Sequence, residues 1–263
     1  MSRPHVELAH VPEIAPAPFH TDGWPVGATI RLLSSDPESG ARTGIVTIPT
    51  GWQRLSGSVT GASELLVLEG SLRVGETLRG VGYYEYAAAG ARQPRWRCDT
   101  GCVMLAMFRG APDFAASSGP PSDERITLDT NTLPWEGSMM PGHPAGVVMK
   151  FLRRDEETGE MVLLESIVPR WEYDVVEYHA CAEELYLIDG DMWLANSGTM
   201  LPGSYLWRPA YLTHGPFYTH SGSVILAWLE SDVQSHHVDD PRRTADENRA
   251  EDATRLADRR SEP

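Results

Sequence analysis

Hydrophobic and polar positions along this chain fall into short runs, each about the length of a β-strand. Clear examples are Glu64-Leu65-Leu66-Val67-Leu68-Glu69, Val103-Met104-Leu105-Ala106-Met107-Phe108 and Val224-Ile225-Leu226-Ala227-Trp228-Leu229. They are rich in branched and aromatic side chains, which fit a pleated surface, and they are bounded by Gly, Pro or Ser. No stretch before Asp239 sustains a helical period. The pattern predicts a chain built from strands. Its 24 glycines and 20 prolines, both poor in helix interiors, suit the many turns such a chain needs.

The chain also repeats itself. Residues 27–40, GATIRLLSSDPESG, resemble residues 146–159, GVVMKFLRRDEETG, at an offset of 119. Trp52 and Trp171 keep that offset. Glu64 to Gly70 then matches Glu184 to Gly190 at 120, and Gly82 to Tyr86 matches Gly203 to Trp207 at 121. Single-residue insertions in hairpins account for the drift. Two homologous all-β units follow, residues 20–115 and 135–232. Residues 1–19 read as an N-terminal arm able to add an edge strand. Residues 116–134, rich in Ser, Pro, Asp and Thr, read as a linker. Residues 233–263 read as a charged tail, because from Asp239 onward eight acids and six arginines leave almost no apolar face.

Composition narrows the function. Among 263 residues, 37 acids outweigh 22 bases, for a formal charge of −15. No basic stripe exists for phosphate, which argues against nucleic acid and against an anionic membrane surface. Lys150 is the only lysine, so Schiff-base and phosphate-loop lysines are nearly ruled out by count. The start of the chain lacks an apolar signal core, and no run approaches the length of a membrane span. Cys98, Cys102 and Cys181 are odd in number and lack metal-finger spacing. The expectation is a cytoplasmic protein with free thiols. No Gly-x-Ser-x-Gly elbow, phosphate loop or dinucleotide fingerprint occurs.

The second unit carries the chemistry. It contains Glu177-Tyr178-His179-Ala180-Cys181-Ala182-Glu183-Glu184, followed by Gly190, and then Gly203, Pro209-Ala210-Tyr211-Leu212-Thr213-His214. This arrangement resembles the cupin superfamily, whose motifs run G-x5-H-x-H-x3,4-E-x6-G and G-x5-P-x-G-x2-H-x3-N. With the repeat, it resembles a two-domain (bicupin) member with an RmlC-like jelly roll, of the acid-rich ChrR-like variant. The resemblance implies an all-β fold of two tandem cupin (double-stranded β-helix, or jelly-roll) barrels. It also implies a mononuclear metal site at Glu177, His179, Glu183 and His214. The match departs from the family at several places. Glu177 stands where the family has its first His, Tyr211 where it has Gly, and Tyr218 where it has Asn. Trp171 replaces the initial Gly.

Elementary chemistry points the same way. Residues two apart on a strand share a face, so Glu177 and His179 point together. An acid and an imidazole inside an apolar barrel are costly unless paired or metal-bound, and two converging carboxylates repel. A divalent cation relieves both costs. The mixed nitrogen and oxygen set suits Fe, Mn, Zn or Ni without choosing among them. Hydrogen bonds among Glu177, His179 and Glu183 in a barrel without metal would also account for these residues. Cys181 has the parity of a soft neighbour, although a buried free cysteine is more often filler. His236-His237 and the remaining histidines show no partner pattern. The matching positions of the first unit are Gly57, Val59, Ser63 and Gln93, none a good ligand. That unit keeps the strands without the chemistry.

The expected function is a metal-dependent cupin enzyme acting on a small oxygen-bearing organic molecule, with a dioxygenase-type oxidoreductase as the leading reading and lyase or isomerase chemistry beside it. Tyr173 and Tyr211 are candidate catalytic donors near the metal. The alternative is a zinc-binding ChrR-like sensor, or a non-catalytic small-molecule binding protein. Partners are a small-molecule substrate rather than nucleic acid or membrane. Two fused barrels allow a monomer, and a homodimer is also open.

Overall fold

The computed structural model describes residues 3–117, 124–138 and 144–238. The charged run from Asp239 onward and His143 lie outside them. Among the described residues the chain is strands and turns, with only the 3-10 turns Val11–Glu13 and Thr130–Thr132 in addition. No helix there is long and apolar enough to cross a membrane.

Two seven-stranded antiparallel sheets dominate. In the first half the order is Arg125–Asp129, Tyr83–Ala87, Ser63–Gly70, Cys102–Phe108, Arg42–Ile48, Thr29–Ser35 and Ala17–Pro18. In the second half it is Val6–His10, Ser204–Arg208, Glu183–Gly190, Ser223–Leu229, Met161–Ile167, Val147–Arg154 and Glu136–Gly137. Shorter strands complete each barrel. Leu72–Val74 and Trp96–Arg97 do so in the first, and Met192–Leu194 and Phe217–Tyr218 in the second.

The long strands are apolar on both faces because both faces are buried. Leu65 and Val67 point into the first barrel's core with Met104 and Trp96, while Leu66 between them points away. Leu66 and Leu105 meet Leu164, Tyr186 and Leu226 from the other half, so the two large sheets pack back to back. The second barrel's own core gathers Met149, Leu163, Leu187, Met192 and Ile225. The repeat's glycines mark tight crossings. A side chain at Gly70 would meet the Gly101 carbonyl oxygen at 2.2 Å, and one at Gly190 would meet that of Gly222 at 1.9 Å. Both glycines hold positive φ.

The structure extends the repeat at both ends. Val6–His10, in the expected arm, pairs with Ser204–Arg208 of the second barrel. Its counterpart Arg125–Asp129, in the expected linker, pairs with Tyr83–Ala87 of the first. The two short strands that follow them, Ala17–Pro18 and Glu136–Gly137, pair with Thr29–Ser35 and Val147–Arg154 respectively. Each lead-in segment thus bridges the halves, and residues 125–129 are a strand rather than a plain connector. Arg125-Ile126-Thr127-Leu128-Asp129 does alternate polar and apolar residues, but it is short and follows a Ser- and Pro-rich stretch that reads as a connector. Ser235–Val238, at the start of the expected tail, is likewise a strand, paired with Val176–His179. The three cysteines are buried and unpaired.

Candidate metal centre

Val176–His179 places alternate residues inward: Glu177 and His179 are buried, whereas Val176 and Tyr178 are only partly covered. Glu183 begins the neighbouring sheet strand. A loop after Pro209 returns His214 to Glu177, where the two backbones exchange hydrogen bonds of 2.9 and 2.8 Å. All four side chains are buried.

Among the described residues, ligand-capable atoms of Glu177, His179 and His214 lie within 4.8 Å of one another. Each imidazole has its other nitrogen turned to the backbone. His214 Nδ1 lies 2.9 Å from the Leu212 carbonyl oxygen, and His179 Nδ1 lies 3.4 Å from that of Gln234. A proton on each Nδ1 leaves both Nε2 lone pairs facing inward, the tautomer a metal requires. Glu177 Oε2 is buried without a hydrogen-bond partner. An orphaned buried carboxylate oxygen beside two inward imidazoles fits a divalent ion.

Glu183 stands slightly apart. Its Oε1 is 3.6 Å from His214 Nε2, and its Oε2 is 3.9 Å from His179 Nε2. It also accepts a 2.9 Å hydrogen bond from Arg208, which is itself held by Glu7 of the N-terminal strand. Burial disfavours the Glu183 charge, but His214, Arg208 and His179 outweigh it and hold the carboxyl down at about 2. Burial pushes His214 below the usual imidazole range, with Glu183 acting in the opposite sense.

A cavity of about 120 Å³ opens on this cluster. Tyr173 lines it, with its hydroxyl 2.7 Å from His237 Nε2. Burial, helped by Glu177, raises the Tyr173 phenol to about 12, so it keeps its proton at ordinary pH. Glu165 also lines the cavity. Burial, with Glu183 and Glu177 adding to it, raises its carboxyl to about 7.

One expected donor, Tyr211, is not brought in, and Cys181 sits as buried filler. Tyr211 is 67% exposed and does not line the cavity. Its backbone sits at φ +67°, and its ring lies 6.0 Å from Tyr178, on the outer side of the strand. Cys181 is buried but stands outside the cluster formed by Glu177, His179 and His214. Two other residues were missed in the sequence. His237 Nε2 lies 3.9 Å from Glu177 Oε2, directly across the strand pair. Glu165 faces the cavity from Met161–Ile167. The repeat offers a signal for His237, since Phe114–Ala116 plays the same part against Gly57–Val59 in the first half. Glu165 had no motif to mark it.

The first barrel fills the same place with its own side chain. Arg54, counterpart of Tyr173 at offset 119, is buried and hydrogen-bonded to Gln93, the counterpart of His214. Its guanidinium lies 3.8 Å from the Trp96 ring centroid, 4.4 Å from Phe114 and 4.7 Å from Trp24.

Comparison with solved structures defines the architecture. A candidate dioxygenase from Nostoc punctiforme PCC 73102 superposes with a TM-score of 0.79 over 88% of this chain and 87% of its own, at 22% identity. Oxalate decarboxylase from Lactobacillus farciminis, in complex with formate, gives 0.58 over 88% of each chain at 12% identity. An oxalate decarboxylase from Bacillus subtilis gives 0.53 over 88% of this chain and 79% of its own, at 13% identity. The fold is the cupin jelly roll. A family model described as a domain of unknown function, DUF4437, matches residues 117–236. That span takes in the second cupin barrel and ends within Ser235–Val238. No curated protein matches the chain by sequence.

Proposed function

We propose that the chain is a metal-dependent cupin enzyme whose second barrel oxidises a small oxygen-bearing organic molecule, in a reaction of the dioxygenase type. The observation that carries this reading is the set of Glu177 with the two inward Nε2 atoms of His179 and His214. Two imidazoles and one carboxylate are the donor set of non-haem iron oxygenases, which leave coordination positions open. Glu183 is a fourth, looser donor, because Arg208 already claims one of its oxygens. Fe, Mn, Zn and Ni all share this donor chemistry.

When bound, a divalent ion supplies Lewis-acid polarisation and open positions for oxygen donors. The protein's own groups do the rest. The Leu212 and Gln234 carbonyls fix the imidazoles. Tyr173 holds a proton on its hydroxyl at the cavity wall, and Val147, Ile167 and Leu185 add an apolar lining beside it. The architecture shared with the candidate dioxygenase supports this reading.

Elemental analysis of the full chain, purified without added metal, tests it. A transition metal, with dioxygen uptake on a diketone or catechol, is expected. His179→Ala and His214→Ala should each lower metal affinity by at least about tenfold. Metal content equal to that of the parent chain in both variants would sink the proposal.

A further inference from the structure

The strand Ser235–Val238 lies against the candidate centre, and one of its side chains meets two groups of the site at once. Glu177 exchanges both backbone hydrogen bonds with His214 on one edge. Its pairing with His237 on the other edge is therefore of the non-hydrogen-bonded kind, in which facing side chains come closest. His237 Nε2 lies 2.7 Å from the Tyr173 hydroxyl and 3.9 Å from Glu177 Oε2. That Glu177 oxygen is the buried one without a hydrogen-bond partner. The Tyr173 ring is held on its faces. It stacks on Trp171 at 5.7 Å and on Phe217 at 6.3 Å, with interplanar angles of 25° and 14°, and the His237 ring meets it edge-on at 5.9 Å. What can still turn is the hydroxyl proton, which rotates about the C–O bond to suit an acceptor. Two acceptors compete for it. One is His237 Nε2, and the other is Glu177, which acts on the phenol through its charge and as a hydrogen-bond acceptor.

We propose that His237 is a positioning residue that takes the Tyr173 hydroxyl proton and so keeps the Glu177 carboxylate uncapped for a divalent ion, an inference that rests on the metal reading above. A phenol turned onto Glu177 would make a charge-assisted hydrogen bond with it. An ion would have to break that bond to use the oxygen, so a capped acid is the poorer ligand. With the proton directed to His237 Nε2, Glu177 stays open towards His179 and His214. The same assignment puts the His237 ring proton on Nδ1 and engages its site-facing nitrogen, so His237 serves the centre without being a ligand. Its side chain is 51% exposed, whereas those of His179 and His214 are buried. The first barrel, which lost its ligand set, lacks the pair as well. Arg54 stands at the place of Tyr173, and Ala116 faces Gly57 where His237 faces Glu177.

The test is calorimetric titration of the full chain with zinc alone. His237→Ala should weaken zinc binding by about tenfold, because the phenol turns onto Glu177. His237→Gln, which keeps an acceptor near the place of Nε2, should restore most of that loss. Removing the hydroxyl should do the same, so His237→Ala with Tyr173→Phe should return to within about threefold of the parent. Tyr173→Phe alone should gain less than about twofold, because His237 already holds the proton. A double variant as weak as His237→Ala would overturn the proposal, since loss of a ligand or of strand packing predicts no such rescue. Parent-like zinc affinity in a folded His237→Ala variant would overturn it too. A tenfold gain in Tyr173→Phe alone would show that the phenol already caps Glu177, and that result counts against the proposal whether or not the His237 variants fold. Failure of the parent chain to take up zinc, iron or manganese overturns the metal reading, and this inference with it. Zinc uptake without the rescue overturns this inference alone.

Discussion

Arg54 and Tyr173 hold equivalent places in two related barrels, and the difference between them decides what each barrel can contain. Arg54 projects its guanidinium inward among Trp24, Trp96 and Phe114 and donates to Gln93. Burial lowers even this arginine's pKa, to about 9, with Glu85 acting in the opposite sense. Arg54 thus stands among aromatic rings in the first barrel at the position where the second has Tyr173 beside its cavity. Tyr173 instead ends at the cavity wall, on His237, and leaves the space beside Glu177 open. Arg54→Ala should therefore open a void in the first barrel and lose its stacking. The expected cost is about 3 kcal/mol, read as a lower denaturant midpoint. Metal content should not change, because Arg54 belongs to the other barrel. A large fall in metal content with little change in stability would contradict that division of labour.

At the scale of the element, the strands that carry the candidate ligands were legible and the strands packed beside them were not. Glu177, His179, Glu183 and His214 stood out because their spacing matched a motif and their first-unit counterparts had lost ligand chemistry. Val6–His10 and Ser235–Val238 did not stand out. Each is an edge strand of four or five residues, and its pairing partner lies far away in sequence. Tyr211 misled for a related reason. Its place beside the motif histidine says nothing of the positive φ that turns it outward. The consequence is sharpest for Glu7. Burial disfavours its charge, but hydrogen bonds and attraction from Arg208, with help from Ser197 and His5, hold its carboxyl down at about 2. A carboxyl lowered from its ordinary 4.5 adds stability above that pH and loses the contribution as the pH falls from about 4.5 towards 2. The melting temperature of the parent chain should decline over that window. Glu7→Gln, which keeps the shape without the charge, should start lower and decline less steeply. Parallel curves for the two proteins would show that the N-terminal strand is not anchored through this pair.

Across the whole molecule, the join between the barrels combines an apolar core with buried charge. Leu66, Tyr84 and Leu105 pack on Leu164, Tyr205 and Leu226. Within that layer, Glu64 and Glu184 occupy equivalent positions, and each accepts a 2.7 Å hydrogen bond from its own tyrosine, Tyr84 or Tyr205. Their arginine partners come from the opposite half. Arg153 donates to Glu64 at 2.9 Å, and Arg109 donates to Glu184 at 3.2 Å. Arg3, from the lead-in segment, also reaches Glu184, at 3.0 Å. Removing one partner from such a pair leaves a buried charge uncompensated, which costs about 3–5 kcal/mol. Replacing both partners with apolar groups of similar size costs far less, because the desolvation penalty disappears along with the attraction. Arg153→Met should therefore lower the melting temperature strongly, and Arg153→Met with Glu64→Leu should recover part of the loss, a non-additivity that a double-mutant cycle can read. Because the layer is shared, parent and variants should unfold in a single calorimetric transition. Two separate transitions, only one of them moved by Arg153→Met, would show instead that the barrels are stable independently and that the shared layer joins them without coupling their folding.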